Sequence, residues 1–186
     1  MKRTSLATIV AAVSIAAAAC QQAPQQAAAP SPVERGKYIV TTGLCNDCHT
    51  PWKLGEKGPE PDMTRMLSGH PENMKLPPPP ALQPPWGLAA ALSMTAWSGP
   101  WGISYTANLT PDTETGSGAW SEENFIQAMR TGKHLGAGRA ILPPMPWEWI
   151  GKMSDEDLKA VFAYLRSIPP IRNKVPDPVP PAPAGK

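Results

Sequence analysis

Residues Cys45-Asn46-Asp47-Cys48-His49 constrain this chain more than any other feature of its 186 residues. The run reads C-x-x-C-H, the attachment signature of c-type haem. The spacing has a chemical reason. Two thiols three positions apart on one turn of helix both reach the vinyl groups on one edge of a porphyrin and form thioethers. The next residue then sets an imidazole under the iron as proximal ligand. A Cys/His zinc site or a thioredoxin-like dithiol would use similar residues. Zinc needs a fourth ligand, and the remaining thiol, Cys20, lies in a segment with another job. A redox dithiol needs no His directly after it, and no βαβ pattern surrounds this one. With one such motif and no internal repeat, the expectation is one covalent haem c on Cys45 and Cys48, with His49 on the iron.

The compartment is read from the first twenty residues. Met1-Lys2-Arg3 is basic, Leu6 to Ala19 is apolar, small and uncharged, and Ala17-Ala18-Ala19 precedes Cys20. This is a bacterial-type export signal over residues 1–19, too short for an ordinary membrane span. Cys20 at the cleavage point resembles a lipobox, with Ala17 where such boxes usually carry Leu. Lipidation of Cys20 also accounts for the third thiol, which would otherwise be stray in an oxidising compartment. Plain cleavage, at Ala19 or after Ala27-Ala28-Ala29, is the alternative. The expectation is a protein on the periplasmic side of a bacterial membrane, held through Cys20, or else soluble in the periplasm. Removal of Lys2 and Arg3 leaves 15 basic against 15 acidic residues. No basic patch then argues for nucleic acid.

Residues 20–30 form a low-complexity tether after the anchored Cys, residues 31–175 one domain, and residues 176–186 a Pro-rich tail that reads as extended or disordered. Three helices are marked by their caps. Ser31, Pro32 and Glu34 make a capping box with proline in the first turn. That helix carries Val33, Gly36, Ile39 and Val40 and ends at Gly43. Ser121 opens a second, with Glu122 and Glu123 facing the positive end of its dipole. It carries Phe125, Ile126 and Met129 and stops at Gly132. Ser154 opens a third, with Leu158, Val161, Phe162 and Leu165 on one face, stopped by Pro169-Pro170. No segment alternates as a strand. The stretch from Pro51 to Pro111, with Leu76-Pro77-Pro78-Pro79-Pro80 and Pro84-Pro85-Trp86, reads as loop wrapped around the haem, which would supply the missing core. The fold class is therefore all-α: three or more helices wrapped with long Pro-rich loops around one covalently bound haem.

Six-coordinate haems use Met or His opposite the proximal ligand. Met145 lies in Leu142-Pro143-Pro144-Met145-Pro146-Trp147, where flanking prolines hold a thioether in place without secondary structure. His134 and His70 are the alternatives. Met129 and Met153 read as helical packing.

An ordered series completes the pattern. It runs Thr106-Ala107-Asn108-Leu109-Thr110-Pro111-Asp112, Thr115-Gly116, Trp120-Ser121, the Met145 segment, Met153-Ser154-Asp155-Glu156-Asp157-Leu158 and Tyr164-Leu165-Arg166-Ser167. The series resembles class I cytochromes c, especially single haem domains of the multihaem cytochrome subunits of bacterial alcohol and aldehyde dehydrogenases. The likeness covers about Gly36 to Val175. It implies the cytochrome c-like fold, with the first and last helices crossing beside the haem edge. It implies His49 proximal and Met145 distal, and Trp120 and the loop from Asn108 to Thr110 near the haem propionates. It also implies that a proline carbonyl pins the second nitrogen of His49, with Pro59 and Pro61 as equal candidates. The chain departs from those subunits in carrying one motif rather than several, and in the segment from Leu76 to Trp86.

The function expected is a monohaem carrier of single electrons, not an enzyme, serving redox partners such as a dehydrogenase, a quinol-oxidising complex or a terminal oxidase. Two alternatives stand beside it: a haem enzyme or a gas or peroxide sensor with a displaceable Met145, and a dedicated cytochrome subunit of a dehydrogenase complex. Trp86, Trp97 and Trp101 are the interface candidates for the last, against plain packing.

Overall fold

The structure, a computed structural model, describes residues 28–181. The export signal, Cys20 and most of the tether lie outside the described residues. The first helix, α1 (Pro32–Thr42), starts on the expected capping box, with Ser31 and Glu34 satisfying each other's backbone N–H. After Gly43, the left-handed residue Leu44 turns the chain into α2 (Cys45–His49). The second capped helix is α3 (Glu122–Thr131), closed by Gly132 in the left-handed region. A short α4 (Trp147–Ile150) follows the Met145 segment, and α5 (Asp155–Ser167) begins on Ser154.

Helices α1 and α5 cross and share the most extensive helix–helix contact among the described residues. The crossing depends on Gly36. A methyl placed there would land on the Ala160 carbonyl and 2.8 Å from Tyr164 Cβ, so the helix backbones meet without a side chain between them. Arg35 reaches across to the Asp157 carboxylate at 2.9 Å. Behind the crossing lies one apolar core: Ile39 and Val40 from α1, Phe125, Ile126 and Met129 from α3, and Leu158, Val161, Phe162 and Leu165 from α5. Phe125 and Phe162 meet at 5.5 Å between ring centroids. Val33, expected on the inner stripe of α1, is exposed.

The all-α expectation requires correction. Among the described residues, five short strands form two antiparallel sheets. Strand β1 (Trp52–Gly55) pairs with β2 (Gly58–Pro61) around a turn at Glu56-Lys57. Strands β3 (Ala89–Ala90), β4 (Ala96–Gly99) and β5 (Gly102–Tyr105) form the second sheet in that order. At two to four residues each, they are too short for alternation to be legible. In β1 and β2 the outer residues are half-buried while the inner pair is exposed, which is no alternation at all. The stretch from Pro51 to Pro111 thus carries its own architecture. The tail is also partly ordered: Val179 forms an antiparallel bridge with Ile103, adding to the open edge of β5.

The close approach at Gly36 makes a direct prediction. Gly36→Val is expected to force α1 and α5 apart and destabilise the haem-loaded protein by about 2 kcal/mol, the usual range for overpacking a tight contact. Guanidinium denaturation measures it. An unchanged midpoint would show that the helices do not meet at this residue.

Candidate functional site

Helix α2 is a single turn, and it places the Cys45 and Cys48 side chains beside each other ahead of His49. Both cysteines are free and half-buried. Burial pushes the Cys45 thiol up to about 11 and raises Cys48 as well, with Asp47 adding to the effect. Both are therefore protonated thiols at neutral pH. Neither is the low-pKa thiolate that an activated redox dithiol uses. Among the described residues, no three His, Cys, Asp or Glu side chains converge as a metal site.

His49 is buried, and its Nδ1 lies 2.8 Å from the Ala107 carbonyl oxygen. A carbonyl only accepts, so Nδ1 carries the proton and donates. Nε2 is then left with a lone pair, the form in which imidazole ligates iron. Burial lowers the His49 pKa against the opposing pull of the Ala107 bond, so the ring is neutral. The thiol pair, the tautomer and the neutral ring together fit a c-type haem.

The acceptor is a correction. The resemblance implies a carbonyl from Pro59 or Pro61. Pro59 instead pairs with Leu54 in the β1–β2 hairpin and faces solvent. The chain leaves along that hairpin and returns a different carbonyl 58 residues from His49.

What brings Ala107 to His49 is a buried four-residue segment, Leu67-Ser68-Gly69-His70. One edge faces the haem-binding turn: Leu67 N–H donates to Thr50 Oγ1 at 2.9 Å, and Gly69 N–H to the His49 carbonyl at 2.8 Å. The other edge faces the returning chain: His70 N–H donates to Thr106 O, and Leu67 O accepts from Leu109 N–H. Asn173, fully buried beyond α5, closes the group by donating to the carbonyls of Ser68 (2.7 Å) and His70 (2.8 Å). Within Leu67 to His70 and at Asn173, sequence reasoning singles out only His70, and that one for another role. The turn-prone pair Ser68-Gly69 is the one local hint.

The remaining expected residues are placed as follows. Met145 is half-buried against the core, on a loop fastened where Ser104 Oγ donates to the Pro143 carbonyl at 2.6 Å. Asn108 is spent inside the protein. Its Oδ1 accepts from the N–H and hydroxyl of Thr110, and its amide donates to Ile171 O at 2.8 Å and toward Thr115 Oγ1 and Asn173 O. Its side chain fastens this loop to the segment beyond α5. Trp120 packs against the core and stands edge-on to His134 at 4.9 Å. His70 engages Thr95 Oγ1 at 2.9 Å and the Met74 carbonyl at 3.4 Å, and packs on Tyr105. Its two nitrogens thus engage the chain on either side of the Pro-rich segment from Leu76 to Trp86. Trp97 and Trp101 are half-buried, with Trp101 Nε1 donating to Ser104, while Trp86 is 75% exposed.

Thr50 offers a prediction at this site. It is fully buried, accepts the Leu67 N–H, and donates to Asn46 Oδ1 within α2. Thr50→Val is expected to cost about 2 kcal/mol by leaving a buried N–H unpaired. Thr50→Ser should recover most of it. Equal stability of Val and wild type in chemical denaturation would contradict the arrangement.

Residues 33–169 match the family model described as cytochrome c. Among curated proteins, the chain is 32% identical over 144 residues to a nicotinate dehydrogenase subunit of Pseudomonas putida, covering 77% of this chain and 9% of that protein. It is 30% identical over 172 residues to the gluconate 2-dehydrogenase cytochrome c subunit of Pantoea cypripedii, covering 92% of this chain and 30% of that one. It is 27% identical over 172 residues to the cytochrome c subunit of the quinone alcohol dehydrogenase of Gluconobacter oxydans, covering 91% and 29%. The chain thus spans less than a third of the length of these relatives. With a thiol pair and a neutral imidazole on one helical turn, and a family match over most of its length, this chain belongs to the cytochrome c family.

Proposed function

We propose that this cytochrome is a single-haem electron carrier, with His49 and Met145 as axial ligands, working between redox proteins on the periplasmic side of a bacterial membrane. The observation that carries the reading is the His49–Ala107 bond, which leaves Nε2 free beside two protonated thiols. A haem bound there supplies a one-electron ferrous/ferric couple.

The chain's own residues do the rest. Cys45 and Cys48 hold the macrocycle by thioethers, so it stays with the protein through each cycle. His49 keeps its Nδ1 proton on Ala107 in both states. Met145, on a loop held by its prolines and by Ser104, would be the second iron ligand, and its thioether would keep small ligands off the iron and favour electron transfer over chemistry. The indole N–H of Trp52 and the hydroxyl of Thr106 are buried without protein partners.

The relatives include cytochrome subunits of gluconate, alcohol and fructose dehydrogenases. They support a dehydrogenase as electron donor. No helix among the described residues is long and apolar enough to cross a membrane. An acyl anchor on Cys20 would supply membrane attachment at about 0.8 kcal/mol per buried CH₂.

Met145→Ala should abolish the weak near-infrared sulfur-to-iron band of the oxidised protein and open the ferrous iron to carbon monoxide. Met153→Ala should do neither. A wild-type protein that binds carbon monoxide readily at neutral pH would instead support the sensor or enzyme reading.

For the anchor, Cys20→Ser should move an intact, haem-loaded protein from the membrane to the soluble periplasmic fraction with an unchanged spectrum. A wild-type protein already soluble, with a free amine at its mature N-terminus, would exclude the anchor.

A further inference from the structure

Gly69 touches both ends of the proximal hydrogen bond. Its N–H donates to the backbone carbonyl of His49 at 2.8 Å. Its Cα packs on the Thr106–Ala107 peptide so closely that an added methyl would lie 2.5 Å from Thr106 O and 2.7 Å from Ala107 O. The residue has φ +75°, a conformation that glycine adopts without strain. Asn173 holds the flanking carbonyls of Ser68 and His70, and is itself gripped by Arg65 Nη2 and the Glu72 N–H, both at 2.9 Å on Oδ1. The donor in the proximal bond and its acceptor, 58 positions apart, are therefore not joined only through the intervening chain. Both rest on one buried segment that is bolted from the C-terminal side.

We propose that Gly69 and Asn173 are positioning residues that set the strength of the His49–Ala107 bond and, through it, the reduction potential of the iron. The proposal rests on the haem reading above. A firm Nδ1–H···O=C bond gives the imidazole more imidazolate character and makes it a stronger donor. A stronger donor stabilises ferric over ferrous iron. Pushing the Ala107 carbonyl away from Nδ1 therefore raises the potential. Gly69→Ala does this by contact with the Ala107 peptide. Asn173→Asp keeps the shape and the Arg65 contact, but faces two carbonyls with a carboxylate oxygen in place of an amide donor.

The test is a potentiometric titration of the haem-loaded full-length protein and these two variants, with proton exchange at His49 Nδ1 followed by NMR in the reduced state. Ser31→Ala, which removes the cap of α1 far from the site, is the destabilised control. Both variants should have a higher potential and faster Nδ1 exchange than wild type, and the control should change neither. Unchanged potentials in loaded variants overturn the proposal, and so does a control that shifts as much as they do. Should neither variant take up haem, wild type decides. An Nδ1 proton as protected as the buried Gly69 amide supports the proposal, and one exchanging like an exposed imidazole overturns it. Wild-type protein without covalent haem overturns the haem reading itself, a result distinguishable from all of these.

Discussion

The proximal hydrogen bond from His49 to Ala107 is the contact on which the rest of the molecule converges. It selects one imidazole tautomer, and with it the face that can meet a metal. Its acceptor arrives from a loop whose position depends on the segment from Leu67 to His70, which in turn depends on Thr50 and Asn173. Residues from the helical turn, the insertion and the segment beyond α5 are thus mutually required. The segment from Leu67 to His70 is irregular, and most of its backbone groups are satisfied only by distant residues, so local propensity alone would not order it.

The two halves of the fold are stabilised differently. The helical half is a conventional apolar core behind the Gly36 crossing, where burial of Leu158, Leu165, Val40 and their neighbours does the stabilising. The half that carries the proximal side is polar inside. Thr50, Ser68, His70, Thr95, Asn108, Thr110 and Asn173 are all buried, and they are linked by hydrogen bonds across large sequence distances. Such a network fixes geometry more sharply than apolar packing, since a displaced donor leaves a buried group unpaired. That is a fitting material around an imidazole whose orientation matters.

Legibility follows the range of the interactions. The three long helices are readable because a capping box or a Ser cap acts within three residues. The attachment turn is readable because its chemistry lies in five consecutive residues. Strands of two to four residues are too short for a period to be legible, so neither sheet is visible in the sequence and the stretch from Pro51 to Pro111 reads as loop. The acceptor for His49 cannot be found locally, because Ala107 lies 58 positions away in a motif that does not itself point to His49, and Pro59 stands closer along the chain. Asn108 ties its loop to Thr110 and Ile171, partners that only the folded chain brings into view.

The central claim is that Cys45 and Cys48 carry a haem covalently, in a chain that has one such turn. The most direct measurement is the intact mass of the protein purified from its native compartment and denatured before analysis. The account predicts the mass of the processed polypeptide plus one haem, surviving denaturation and acid extraction. A bare polypeptide mass, with the haem lost to the solvent, would contradict it.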